Sequence, residues 1–195
     1  MFNISSRPPM YDQNSVQPMR DELVAVGFTE LLTPQEVEDA VKVNNNETVF
    51  VMINSVCGCA AGSARPGVSL ALQNDIIPDK LYTVFAGQER DAVDKIRQLV
   101  GSVPPSSPSF ALFKNGELIH FMHRYEIEGN MPQQISEYWR EIFNEHCTKQ
   151  GPSIPPEHFA VVYQQLCTPF SLVVSNLHCA VVALVSCFLQ HCPVS

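Results

Sequence analysis

Two thiols one residue apart, Cys57-Gly58-Cys59, stand where an apolar run ends and a helical pattern begins. Sulfur attacks as thiolate, and a helix starting just after Cys57 would aim free backbone N–H groups and its positive dipole end at that sulfur. The arrangement suits thiol–disulfide exchange, with Cys57 as the nucleophile and Cys59 as the resolving thiol. Spacing alone also allows a metal half-site or two incidental thiols. A structural zinc site needs two further ligands, and the domain offers only His146-Cys147 at the end of its last helical pattern, so no metal is expected. A disulfide between residues only two apart closes a small, strained ring, which suits exchange better than permanent bracing. Gly58 then reads as the residue that lets the ring close and leaves room for an incoming disulfide.

Around the pair, Arg65 either adds positive potential at the thiolate or solvates a helix face, and Asn54 and Ser55 either hydrogen-bond the sulfur or cap the helix, capping being the more economical account. Cys147 reads as a helix-end thiol or as an additional resolving thiol. His120, His123 and His146 are too scattered for a triad or a metal cluster.

The elements that must hold the thiols follow from periodicity. Thr48–Ile53 is continuously apolar and rich in β-branched residues, as expected of a central strand buried on both faces. The patterns beyond it predict a helix over Cys59–Asn74, a strand over Leu81–Phe85, a helix over Arg90–Val100, strands over Ser109–Phe113 and Leu118–Met122, and a helix over Pro132–His146. This is a βαβ–ββα order. Two helices precede it, over Asp12–Phe28 and Pro34–Val43, the second opened by Thr33-Pro34-Gln35-Glu36 as cap and N1 proline. In the last helix Ile135, Tyr138, Trp139, Ile142 and Phe143 form one apolar stripe, so the single tryptophan is expected in the core. Pro66 predicts a kink inside the first core helix.

Ser106-Ser107-Pro108-Ser109 runs directly into a strand, an Asn115-Gly116 turn of type I′ and a second strand. A proline at the head of such a strand resembles the cis-proline of thioredoxins. The resemblance implies that the loop sits against the active-site cysteine and that Ser107 and Pro108 bind substrate through its backbone, with Gly58 beside them.

The stretch Asn54 to Pro66, with Val84-Phe85-Ala86-Gly87-Gln88 and Arg124-Tyr125-Glu126-Ile127-Glu128-Gly129, resembles the bacilliredoxins, thioredoxin-like proteins with a Cys-Gly-Cys site. The likeness covers Tyr11 to Cys147, and it departs at His123 and Tyr125, where the family carries proline and histidine around the arginine. It implies an α/β, thioredoxin-like fold with no bound cofactor. It also implies a reaction in which Cys57 takes a low-molecular-weight thiol, bacillithiol, from S-thiolated client proteins. The electrons would come finally from a flavin/NADPH-type disulfide reductase. The alternatives are a general protein disulfide reductase or isomerase, and a thiol redox sensor or metal-binding adaptor that turns nothing over.

Composition bounds these readings. At 195 residues the chain has room for a well-buried domain and an appendage. Twelve Lys and Arg against 20 Asp and Glu give a net charge of −8, which disfavours nucleic acid or an anionic membrane surface as partner. The first residues lack an apolar h-region, so no secretory signal is expected, and only three of the seven cysteines lie in the first 150 residues. Both observations favour a cytoplasmic setting.

The expected organisation is a flexible 1–10, a thioredoxin-like domain over 11–148, a proline-rich linker over 149–157 and an uncharged apolar extension over 158–195. Within that extension 170–189 carries no charge over 20 residues, long enough to cross a ~30 Å hydrocarbon layer as a tail anchor. Asn176, His178 and the lack of flanking Lys or Arg favour instead a loosely packed or disordered extension, or an aberrant end of the reading frame.

Overall fold

The computed structural model describes residues 7–167. Strand β2 (Thr48–Asn54) is buried along its whole length. It pairs in parallel with β4 (Lys80–Phe85) on one side and antiparallel with β5 (Ser109–Lys114) on the other. With β1 (Thr29–Glu30) outside β4 and β6 (Glu117–Met122) outside β5, the sheet order is β1-β4-β2-β5-β6. Because side chains alternate along a strand, β2 sends Phe50 and Met52 to one core and Val49, Val51 and Ile53 to the other. A continuous apolar run is what burial on both faces demands.

On the first face lie α1 (Gln13–Val24), α3 (Arg65–Ala71) and α6 (Pro132–His146), which bury Leu23, Val68, Ala71, Ile135, Trp139 and Phe143. Phe50 stacks on Phe110 at 5.6 Å and meets the Trp139 and Phe143 rings edge-on at 4.6 and 5.2 Å. Truncating such a ring costs about 3–5 kcal/mol. The second face is covered by α2 (Pro34–Val41) and α4 (Arg90–Val100), with Val37, Val41, Val93, Ile96 and Val100 inward. This is the thioredoxin-like βαβ–ββα order with two extra helices at its N-terminal side.

Most local signals act as expected. Thr33 and Glu36 form a reciprocal capping box at α2, and Asn115 and Gly116 both take positive φ, 53° and 78°, between β5 and β6. The first helix stops earlier than its apolar spacing suggests, because Gly27 adopts φ 102° and lets Val26 and Phe28 bury beyond the helix end. Near Pro66 the expected kink takes a specific form. Ala60–Ala64 is a π-turn, in which the Arg65 N–H reaches back to the Ala60 carbonyl, and α3 begins there with the proline in its first turn.

Four short elements were not expected: β1, α5 (Arg124–Ile127), and the two-residue strands β3 (Ile76–Ile77) and β7 (Lys149–Gln150), which pair antiparallel. This pairing changes the reading of 149–157, whose composition suggested a linker. Gly151 N–H donates to Asp75 O at 2.8 Å, Ser153 N–H donates to Leu72 O at 2.9 Å, and Ile154 packs on the first core. A Cβ on Gly151 would stand 2.1 Å from Asn74 O, so the close approach requires glycine there. Helix α7 (Pro156–Cys167) follows and adds Phe159 and Val162 to the same face. Among the described residues no helix is long and apolar enough to cross a membrane, and 170–189 lies outside them.

Candidate functional site

The chain leaves the carboxyl end of β2 at Asn54 and turns through Ser55 and Val56 to the two thiols. Both are free and half-buried, with Cys57 Sγ and Cys59 Sγ 2.6 Å apart. Ser55 Oγ donates to Cys57 Sγ at 3.1 Å and accepts from the Cys57 N–H at 3.4 Å. Of the two roles open to Ser55 in the sequence, capping looked the more economical, and its hydroxyl takes the other one as well by reaching the sulfur.

The two sulfurs move in opposite directions. Burial works against a Cys57 thiolate. Hydrogen bonds from Cys59, Ser55 and the Ala60 N–H, together with the positive charge of Arg124, outweigh it and bring the Cys57 pKa below the ordinary thiol value. Burial raises Cys59, and the neighbouring Cys57 sulfur raises it further. One shared hydrogen bond thus has a preferred polarity, with Cys59 as donor and Cys57 as acceptor. The helix amide expected to activate Cys57 contributes, but behind the two side-chain hydrogen bonds.

The cation is not the one nearest in sequence. Arg65 is 2% exposed, pairs with Glu22 of α1, and gives Nη1 to Asn54 Oδ1 and to Ser55 O at 3.2 Å each. It neither solvates a helix face nor offers an unpaired charge to the thiols. Arg124, at the start of α5, is the residue whose charge favours the thiolates, and Glu128 holds its guanidinium through Nε and Nη2 at 2.7 Å each.

Strand register brings the remaining expected residues to the same end of the sheet. Ile53 faces Ser109 across the β2/β5 ladder, so Ser107 and Pro108 lie beside the exit of β2. The Ser107-Pro108 peptide is cis. Ser109 Oγ donates to Ser106 O at 2.9 Å, and the Arg124 N–H donates to Ser106 Oγ at 3.4 Å, which ties this loop to α5. Gly58 is exposed, its φ is outside the left-handed region, and a Cβ added there would meet nothing within 4 Å. The dithiol state therefore makes no steric demand for glycine, and the space over the pair is open.

Cys147 lies elsewhere. It ends α6, is buried, and is hydrogen-bonded to Thr48 at the opposite end of β2. Seven residues of strand put it roughly 20 Å from the pair. Burial lifts its pKa to about 11. His120 is held by Tyr138 Oη at 2.5 Å, with its pKa lowered by burial. His123 stacks on Tyr125 at 5.0 Å, and His146 neighbours Glu145. Among the described residues no three His, Cys, Asp or Glu side chains gather as a metal site.

Sequence reasoning missed the roles of Arg124 and of the Glu22–Arg65 pair. The first is separated from the thiols by more than 60 positions, and the family motif that contains it does not say which atoms it meets. The second is a helix-to-helix contact that only the fold creates.

The family profile described as disulphide isomerase matches residues 11–147. A bacilliredoxin of Halalkalibacterium halodurans is 52% identical over 137 residues, covering 70% of this chain and 94% of that protein. A bacilliredoxin of Cytophaga hutchinsonii is 46% identical over 136 residues, 70% of this chain and 99% of its own. Among solved structures, mitochondrial thioredoxin 3 from Saccharomyces cerevisiae is 16% identical with a TM-score of 0.42, covering 62% of this chain and 97% of that one.

Proposed function

Because this chain belongs to the bacilliredoxin family, within the disulphide-isomerase family of thiol–disulfide oxidoreductases, we propose that it removes a low-molecular-weight thiol, bacillithiol, from S-thiolated client proteins. The observation that carries the reading is geometric: two free sulfurs 2.6 Å apart at the carboxyl end of β2, a serine hydroxyl on Cys57 and the Ser107-Pro108 loop beside them.

The chemistry runs in balanced steps. The Cys57 thiolate attacks the sulfur of the small thiol in the client's mixed disulfide. A new S–S bond forms on Cys57, the bond to the client breaks, and the client cysteine leaves as thiolate and takes a proton. Cys59 then loses its proton and attacks Cys57 Sγ, which closes the Cys57–Cys59 disulfide and expels the small thiol. Alternatively a second small thiol attacks the adduct and leaves as its symmetric disulfide. Two electrons and two protons, supplied by a flavin/NADPH-type disulfide reductase, then reduce the Cys57–Cys59 disulfide on the first route and the symmetric disulfide of the small thiol on the second. Ser107 and Pro108 offer the client backbone an edge beside Cys57, and the open space at Gly58 admits the disulfide. The proposed setting is the cytoplasm.

A second reading, general disulfide reduction or isomerisation between proteins, draws support from the description of the matched family. Incubation of a Cys59→Ala protein with an S-thiolated client separates the two. The first reading expects the small thiol's mass on Cys57 and a freed client; the second expects a client–protein adduct. Equal adduct yields on Cys57→Ala and Cys59→Ala proteins would refute the division of roles.

A further inference from the structure

Behind the thiols lies a chain of buried polar groups that the exchange chemistry itself does not require. Glu22 of α1 holds Arg65 Nε, and Arg65 Nη1 donates to Asn54 Oδ1 and to Ser55 O, both at 3.2 Å. Asn54 Oδ1 also accepts the Ser55 N–H at 2.8 Å, and Asn54 Nδ2 donates to Met19 O at 3.1 Å. Ser55 Oγ completes the chain at Cys57 Sγ, 3.1 Å away. Arg65, Asn54 and Ser55 are 2%, 0% and 7% exposed. We propose that Ser55 is a further catalytic residue, its hydroxyl donating to the Cys57 sulfur, and that the Glu22–Arg65 pair is the positioning device that fixes this hydroxyl.

The physical case is one of fixed orientation. Buried partners on both the N–H and the C=O of Ser55 fix where its Cβ stands, and the Cys57 N–H, donating to Ser55 Oγ at 3.4 Å, favours the rotamer that aims the hydroxyl at the sulfur. A hydrogen bond to an anion is stronger than one to a neutral sulfur, so a hydroxyl aimed at Cys57 favours the thiolate over both the thiol and the mixed disulfide. The Arg65 guanidinium does not serve in its place, since its Nε is engaged by Glu22 and its Nη1 by Asn54 Oδ1 and Ser55 O. The other groups facing Cys57 are Cys59 and the Ala60 N–H from the helix and Arg124 from α5, whose partner Glu128 acts on Cys59. The inference also gives the extra N-terminal helix a task at the site, because α1 contributes both Glu22 and the Met19 carbonyl.

The proposal rests on Cys57 being the nucleophile, yet its test needs no client. Alkylation rate against pH on a Cys59→Ala background, followed by mass on the peptide that carries Cys57 because five other cysteines remain, reads the Cys57 midpoint. Ser55→Ala should raise that midpoint by about one unit, a tenfold loss of thiolate below it. Arg65 is deeply buried, so Glu22→Gln is the gentler probe, its side chain being 29% exposed. Removing a carboxylate acts by charge alone to favour a thiolate and lower the midpoint. A positioning role predicts the opposite, a rise smaller than that of Ser55→Ala, and no further rise when both changes are combined. An unmoved midpoint in Ser55→Ala overturns the catalytic role. A lowered melting temperature with an unmoved or lowered midpoint in Glu22→Gln, or full additivity, overturns the positioning role. Should the client assay instead place the adduct on Cys59, the assignment of roles under Proposed function fails while these midpoints still stand or fall by themselves.

Discussion

The two ends of β2 carry a thiol chemistry apiece, and they differ in nearly every respect. At the carboxyl end two half-buried sulfurs share a hydrogen bond and an arginine field, with a serine hydroxyl on Cys57 and open space at Gly58. At the amino end Cys147 is buried against Thr48, whose N–H and Oγ1 both donate to Asp79, while β7 and Gly151 close over the neighbouring turn. The contrast teaches that a thiol is activated by donors aimed at it and silenced by burial, and that one strand is long enough to keep the two regimes apart.

The largest effect expected from this contrast is on turnover. Cys57→Ser should abolish thiol transfer, whereas Cys147→Ser should leave it within a factor of about two. A client-release assay on both proteins decides it, and a Cys147→Ser protein as dead as Cys57→Ser would erase the distinction between the ends.

Next in size is the closed end's contribution to stability. Truncation after Gln150 removes Ile154, Phe159 and Val162 from the first core. Three partly buried apolar side chains, at about half the value of full burial, predict a loss of roughly 2–4 kcal/mol in a urea titration. Gly151→Ala should cost about 1–3 kcal/mol, because its Cβ would meet Asn74 O at 2.1 Å. Thiol transfer below the melting temperature should survive both. A truncated protein of unchanged stability would mean that 151–167 only rests on the surface.

The ends should also differ in the sign of their pH dependence. The Cys147 pKa is raised, so the fold prefers its thiol; the stabilisation is whole below the ordinary thiol value and is lost as pH climbs through about 11. The Cys57 pKa is lowered, so the fold prefers its thiolate; that contribution is present above the ordinary value and is lost as pH falls through the depressed one. Stability of Cys147→Ser against the parent, followed from neutral pH upward, should show a gap that closes at high pH. A gap that widens would reverse the assignment.

The smallest effect is expected at the open end. Gly58→Ala adds a methyl to empty space and should change stability by no more than about 0.5 kcal/mol. By contrast, the same change at Gly67 brings Cβ within 2.7 Å of Ile135 Cβ and should cost about 1–3 kcal/mol. Thermal melts of the two proteins compare them, and similar losses would show that the space over residue 58 is not open in solution.

What could be read from sequence was what a short window contains. The run Thr48–Ile53, the Asn115-Gly116 turn and the helices Arg90–Val100 and Pro132–His146 each carry their own period or turn chemistry, and each forms with little change of boundary. The strands Thr29–Glu30, Ile76–Ile77 and Lys149–Gln150 are two residues long and exist only through their partners, so no period could reveal them. Gly151-Pro152 misled for a related reason: composition cannot distinguish a glycine kept for flexibility from one kept because a carbonyl stands where its side chain would be. At the site, the thiols and the proline loop were legible as motifs. A bond from Ser55 to the sulfur could be named there but not chosen over a cap, and Arg124 could be placed in a family motif but not on the thiols; the Glu22–Arg65 pair was not legible at all, because its importance is a matter of which atoms meet across the fold.

The π-turn Ala60–Ala64 sets the angular phase between the thiols and α3. An α-helix advances by about 100° per residue, so the one extra residue held in that turn rotates the segment bearing Cys57 and Cys59 by roughly a quarter revolution against the face that α3 lays on Ile135. Chain length between Cys59 and Pro66 thus works as an aiming control. Losing a single residue there would leave a longer regular helix whose buried face is satisfied and whose sulfurs look away from Ser106–Pro108 and Arg124, a change that a melting curve would barely register and that an activity assay would see at once.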